Sequence, residues 1–283
     1  MKVVTWNING GYGLNPDNPK ELLGFENLTY FTEQLEQIDA EVVCLQEAHV
    51  NAERSQAHEI ARSLGYTAVF ESIASESHID SSYHLANAIL ARQPFQSTHA
   101  VTLPRPHFPL ALPTLASGEQ AAVHDKLLQV VQLNGLTIAN THLLPLPFLG
   151  AHWDSREGRE LASAIAEVLE VELQPPLILC GDFNYLDLAD LMPDLLRGLK
   201  LTNALPDQPS QPHAEARVDY ILVSGEFEVV SSEILKCSAD HFPCVAVLSS
   251  GHDAETDDSF EGVTGESICT EVDTGASIGC ENW

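Results

Sequence analysis

Cys180-Gly181-Asp182-Phe183-Asn184 follows directly on the apolar run Leu177-Ile178-Leu179. A continuous Leu/Ile run entered through Pro175-Pro176 reads as a strand buried on both faces, as strands are in a covered α/β sheet. Gly181 lets the backbone turn where that strand leaves the sheet, so Asp182 and Asn184 emerge at its end, facing a cleft. An Asx-type turn capping the strand is the alternative reading of a solitary G-D-x-N.

The same arrangement recurs along the chain. Val3-Val4-Thr5-Trp6 leads to Asn7, the apolar residues 42–45 and Gln46 lead to Glu47, residues 136–141 lead to His142, and Ser238-Ala239-Asp240-His241 precedes the apolar residues 245–248. Arg217-Val218-Asp219 opens another apolar stretch that runs through Val223. Each polar residue has a local explanation as a turn or cap. Together they offer carboxylates, carboxamides and two imidazoles, the inventory of metal-assisted phosphoester hydrolysis. Periodicity predicts helices over residues 25–38, 52–64, 153–171 and 188–199, and strands over 3–8, 66–70, 83–90, 127–133 and 136–140, the last two joined by a hairpin at Asn134-Gly135. Residues 10–24, rich in Gly, Asn and Pro, read as a loop beside the site, and the proline-rich residues 104–113 and 145–150 as stiff apolar loops that either lie near the cleft or pack on the body. Strands interleaved with helices in both halves give an α/β fold with two similar layers face to face.

Six motifs in this order, W-N-I-N at 6–9, L-Q-E at 45–47, T-H-L at 141–143, G-D-F-N at 181–184, V-D-Y-I at 218–221 and S-A-D-H-F-P at 238–243, resemble those of the endonuclease/exonuclease/phosphatase superfamily. That group includes pancreatic-type DNases, abasic-site endonucleases, sphingomyelinases and inositol polyphosphate 5-phosphatases. The resemblance implies a four-layered αββα sandwich of two mainly antiparallel or mixed sheets, and a metal-dependent phosphodiesterase or phosphatase.

Mg²⁺ takes oxygen ligands and keeps several waters, so one carboxylate and one or two weaker oxygens suffice to hold it. Glu47 supplies the carboxylate, Asn7 resembles the family's carboxamide beside the metal, and Asp240 contributes directly or through a water; Mn²⁺ is the expected substitute ion. Asn9 stands where some relatives carry Asp, leaving one metal or two open. Asp182 is expected to orient or deprotonate the attacking water, and Asn184 to donate to a phosphoryl oxygen. By resemblance, Asp219 orients His241, His142 donates to the phosphate or the leaving oxygen, and Asn87 faces the phosphate from a mid-chain strand. Arg156 and Arg159 are candidates for a second phosphate or a carboxylate, with surface ion pairing as the alternative. His49, His107, His124 and His152 lack a strand-end setting and are expected in the core or on the surface.

At 44% hydrophobic, 283 residues suffice for one large core. One catalytic domain is expected over residues 1–248, followed by an acidic tail over 249–283 too poor in large apolar residues to fold alone. With no long apolar stretch and no leader pattern, the expectation is a soluble, cytoplasmic monomer. The cysteines show no C-x-x-C pairing and read as reduced thiols. Forty-one acidic residues against thirteen basic give a formal charge of −28, which repels a polyanion, so general duplex binding is disfavoured and a small or lipid-linked phosphoester is the expected substrate. The alternatives are an endonuclease, exonuclease or DNA-end-processing enzyme, and a non-catalytic binding protein on the same fold.

A chain ending at Ser250 should therefore unfold as cooperatively as the full chain and turn over substrate at the same rate. Loss of the cooperative transition in a denaturant titration would show that the tail belongs to the folded unit.

Overall fold

The computed structural model describes residues 1–250 apart from positions 16, 113, 115–117, 119, 121 and 213–216, and apart from the side chains at 19 and 20. In chain order the first half carries β1 (Lys2–Asn7), β2 (Leu14–Asn15), β3 (Asn18–Leu22), α1 (Leu28–Ile38), β4 (Val42–Val50), α2 (Gln56–Leu64), β5 (Ala68–Glu76), β6 (His84–Ala91) and β7 (Ser97–Thr102). The second half carries β8 (Leu127–Leu133), β9 (Leu136–His142), α3 (Arg156–Glu172), β10 (Leu177–Asp182), α4 (Leu188–Leu191), α5 (Pro193–Gly198), β11 (Thr202–Asn203), β12 (Asp219–Val223), β13 (Phe227–Ile234) and β14 (Cys244–Ser250).

Two six-stranded sheets form, ordered β13-β14-β1-β4-β6-β5 and β11-β12-β10-β9-β8-β7. Each has one parallel pair near its centre, β1 with β4 and β9 with β10, and is otherwise antiparallel. Three apolar clusters define the layers. Val3, Cys44, Ile89, Ile138, Cys180 and Ile221 fill the space between the sheets. Trp6, Phe31, Leu35 and Ile60 lie where α1 and α2 cover the first sheet, and Leu161, Ile165, Leu169 and Leu179 where α3 covers the second. This is the expected four-layered αββα sandwich.

The helices begin where a side chain can take the first free amides. Asn27 accepts from the Tyr30 N–H, Ser55 from His58 and Ser155 from Gly158, so α1, α2 and α3 start about three residues later than hydrophobic periodicity alone suggests. The expected helix over 188–199 is broken into α4 and α5, because Pro193 cannot continue an α-helical hydrogen-bond ladder. The loop over 10–24 contains the small ribbon β2–β3. β14 extends to Ser250, which pairs with Phe227, so the folded unit passes the expected boundary at 248; the tail beyond residue 250 lies outside the described residues. Among the described residues no helix is long and apolar enough to cross a membrane.

Gly181 is required by a close approach. It has φ +150°, and a Cβ there would lie 2.0 Å from the carbonyl oxygen of Thr141 on the parallel neighbour β9. Gly181→Ala should therefore destabilise the protein by about 2–4 kcal/mol, combining overpacking and backbone strain. An unchanged denaturation midpoint would show that β9 and β10 can separate at no cost.

Candidate active site

The two parallel pairs deliver the site. β1 ends at Asn7, which is in register with Gln46 on β4, and β10 ends at Asp182, in register with both His142 on β9 and Asp219 on β12. The ends of both central pairs therefore meet at one edge of the sandwich, over a cavity of about 730 Å³ lined by Asn7, Glu47, His142, Asp182, Asp240 and His241, among others.

Glu47 reaches the cavity through a β-bulge. Between the pairs Leu45–Ala88 and Ala48–Ala86, Gln46 and Glu47 stand opposite the single residue Asn87. Such a bulge re-aims a side chain, and Glu47 adopts φ +55° to make it. Asn9 and Asn184, which also line the cavity, have φ +46° and +49°. Left-handed backbone at three non-glycine residues is conformationally costly, and here it coincides with the polar cluster.

Asp182 is the focus of that cluster. Its Oδ1 accepts the backbone N–H of Asn184 at 2.9 Å, and its Oδ2 accepts from Asn7 Nδ2 at 3.2 Å. The same Oδ2 lies 3.6 Å from His142 Nε2 and 3.6 Å from His241 Nε2. Desolvation raises the Asp182 pKa; the nearby His241 charge opposes this, and the Asp219 charge adds to it. The buried carboxylate is thereby made a better proton acceptor.

The two histidines sit in opposite electrostatic settings. His241 Nδ1 bonds Asp219 Oδ2 at 2.9 Å. Burial works against its imidazolium, but Asp219 and Asp182 outweigh burial, so its pKa is raised. Two anchors hold it in place: Trp6 Nε1 donates to the His241 carbonyl at 2.8 Å, and Ser210 Oγ accepts the N–H groups of Val218 and Asp219 while its carbonyl accepts from Phe242. His142 is pushed the other way, by burial first and then by the charge of Lys126, so it stays a neutral imidazole. Its Nδ1 lies 3.8 Å from Glu47 Oε1.

Other expected residues divide clearly. Asn184 lines the cavity with one amide N–H donated to the Leu143 carbonyl at 3.0 Å, leaving the second. Asn87 is buried, its Nδ2 has no hydrogen-bond partner, and it lines a small recess with Glu47, Lys126 and His142. Arg156 and Arg159 are not brought to the cavity: on α3 they face outward, Arg156 paired with Glu160 and Arg159 with Asp154 and Asp190. Of the two proline loops, Leu144, Pro145, Phe148 and Leu149 wall the cavity, whereas Phe108, Leu110 and Leu112 pack against the outer core. His49 is a core residue, stacked on Tyr83 and bonded to Ser77, and His107 and His152 are exposed. His124 departs from expectation by lining the cavity, half-buried, with His78 and Lys126. Gln211 also went unread from the sequence; its Nε2 lies 2.6 Å from His241 Nε2. Glu76 ends β5, Lys126 precedes β8 and Gln211 sits in a loop, none within a motif, and only the placement of a strand-flanking charge such as Lys126 beside residue 127 was a signal.

Two places in the cavity are candidates for a cation. Asp182, Asp219 and His241 place ligand atoms within 4.8 Å of one another, although His241 Nδ1 is engaged by Asp219. Across the cavity, the largely buried Glu47 carboxylate receives no hydrogen bond from any described residue, its nearest partner being His142 Nδ1 at 3.8 Å. A carboxylate that faces the cavity with no protein donor among the described residues is a candidate ligand for a hard divalent ion.

Comparison with known proteins follows the same lines. Curated protein sequences give no significant match. Among solved structures, an endonuclease/exonuclease/phosphatase from Beutenbergia cavernae is similar at 19% identity and TM-score 0.61, over 89% of this chain and 72% of that one. The catalytic domain of human Nocturnin with bound sulfate matches at 18% identity and TM-score 0.58, over 88% and 94%. A mannosyl-6-phosphatase of Bacteroides thetaiotaomicron matches at 16% identity and TM-score 0.53, over 88% and 99%. The profile of the Endonuclease/Exonuclease/phosphatase family matches residues 4–250, spanning both sheets and every strand end that supplies the cavity, and the chain belongs to that family of phosphoester hydrolases.

Proposed function

We propose that the protein is a Mg²⁺-dependent phosphodiesterase or phosphatase, with Mn²⁺ as a substitute ion, acting on a small or lipid-linked substrate. The observation that carries this reading is the convergence of Asn7, His142 and His241 on one oxygen of Asp182, with the donorless Glu47 carboxylate across the same cavity. Glu47, with Asn7 and Asp240 lining the same cavity, would hold the ion, which when bound would supply positive charge for the phosphoryl oxygens.

Asp182 Oδ2 would hold a water and accept its proton as the oxygen attacks phosphorus and the P–O bond to the leaving group breaks. Asn7 and Asn184 fix the orientation of that carboxylate through its two oxygens. His241, held charged by Asp219, would donate from Nε2 to a phosphoryl oxygen, which takes the place of the Gln211 amide. Neutral His142 would donate to the phosphoryl or leaving oxygen, with Asn184 and Asn87 supplying further amide donors. The cavity favours a small substrate over a duplex. Glu47, Glu76, Asp182 and Asp240 line it against Lys126, which is the sole Lys or Arg there among the described residues. Phosphate backbones are bound chiefly by such cations. Activity on a sugar phosphate in a protein of this fold gives a precedent for a compact substrate.

The reading is tested with a phosphoester panel at fixed Mg²⁺: chromogenic mono- and diesters, inositol phosphates, sphingomyelin, single-stranded DNA, abasic duplex and plasmid. Turnover of a small or lipid ester with little plasmid nicking is expected, and efficient nicking would overturn the substrate assignment. Chelator should abolish turnover, and Glu47→Gln should remove most of it while leaving the unfolding transition intact. Full activity in excess chelator would exclude the metal reading. His241→Ala and Asp219→Asn should each cost roughly two to four decades in kcat/KM, the double variant being little worse than His241→Ala. Strictly additive losses would separate the pair. In Asp219→Asn, the His241 pKa followed by NMR should fall, since the leading carboxylate that opposes its desolvation is gone.

A further inference from the structure

The protein carries a formal charge of −28, and its described arginines are largely consumed in pairs with carboxylates, as at Arg54, Arg92, Arg105, Arg156, Arg159 and Arg197. Lys126 is different. It lies half-buried in the cavity wall immediately before β8, with no carboxylate within ion-pair distance among the described residues. Its ammonium feels the fields of Glu47 and Asp182 without bonding to either. Keeping an unpaired ammonium out of bulk water is unfavourable unless an anion arrives to meet it.

Two imidazoles accompany it. His124 lies two residues upstream, and His78, from the loop after β5, places its ring centroid 6.0 Å from that of His124. All three line the cavity, on the side where Lys126 also borders the recess shared by Glu47, Asn87 and His142. His241, the cationic histidine of the proposed reaction, is instead bonded to Asp219. The cavity thus has a second nitrogen-rich corner, none of whose three groups contacts the ester in hydrolysis as described.

We infer that Lys126, His124 and His78 form a subsite for a second anionic group of the substrate, a phosphate or a carboxylate close to the ester that is cleaved. This deepens the proposed function and rests on it for the place of the scissile ester. Lysine binds an oxyanion as a point charge, while each imidazole adds a donor whose proton is favoured once the anion is present. The substrate class is therefore a compact bis-anion, and a neutral or singly charged ester lacks the group these residues read.

The test is binding, measured calorimetrically at fixed free Mg²⁺, of inorganic phosphate, pyrophosphate and phosphonoacetate, alongside turnover of a small phosphodiester. Pyrophosphate or phosphonoacetate should bind wild type at least about tenfold more tightly than phosphate, the tighter of the two identifying the second group as phosphate or carboxylate. Lys126→Met should remove most of that advantage, with a far smaller loss of phosphate affinity; His78→Gln combined with His124→Gln should weaken it with diester turnover nearly unchanged; Lys126→Arg should retain it. Equal affinities in wild type would overturn the inference, as would equal losses of phosphate and pyrophosphate binding in Lys126→Met, since the lysine would then serve the scissile phosphoryl. If no ester is hydrolysed but the binding pattern holds, the proposed reaction fails and the subsite stands.

Discussion

A site assembled half from one sheet and half from another exists only if the sheets cannot slide, and here a chain of buried amides prevents it. Gln46 on the first sheet donates to Asn140 Oδ1 on the second at 2.7 Å, and Asn140 Nδ2 returns to the Leu45 carbonyl at 2.8 Å. Gln129, beside Asn140 on β8, donates to the Asn87 carbonyl of β6 at 3.1 Å. The surrounding Val, Ile and Cys side chains attract without direction, so a small sliding of one sheet costs them little. Amides do not tolerate it, because each buried donor or acceptor left unmet costs about 1–3 kcal/mol. The bonds flank Glu47 and Asn87 in sequence and lie two residues from His142, so the groups that set the registry are neighbours of the groups that need it.

Within that frame, environment assigns different work to identical side chains. His142 and His241 both lie 3.6 Å from the same Asp182 oxygen. One has Lys126 as its strongest charged neighbour and sheds its proton; the other has Asp219 bonded to its far nitrogen and keeps it. A neutral donor and a cationic donor on either side of one carboxylate give a polarity across the cavity that two equivalent histidines would lack.

Strand ends were the legible part of this chain. Asn7, His142, Asp182 and Asp219 could be read because an apolar run terminates at each, and the sheet does bring those termini together. Glu47 could be singled out, but not the bulge that aims it, since a bulge is a property of pairing with β6 rather than of local sequence. The edge strands β7 and β13 carry mostly exposed residues, so no alternation announces them. Arg156 and Arg159 follow the His142 loop in sequence, yet helical geometry turns them to carboxylates on the surface. For Lys126 the sequence offered only its place before an apolar run, because its neighbour Glu47 comes from the other sheet.

The first strand of the chain lies between β4 and the last strand, with Lys2 opposite Val247 and Trp6 holding the His241 carbonyl. During synthesis the ribosome therefore delivers Asn7 and Glu47 early, and His241 with its supporting strand much later. At about 5–20 residues per second, the leading half waits on the order of ten seconds or more for the strand that completes its sheet. Until then the edge of β1 that β14 will cover is open to other partners. A nascent chain that has not yet exposed β14 can acquire helices and much of the second sheet but no complete site.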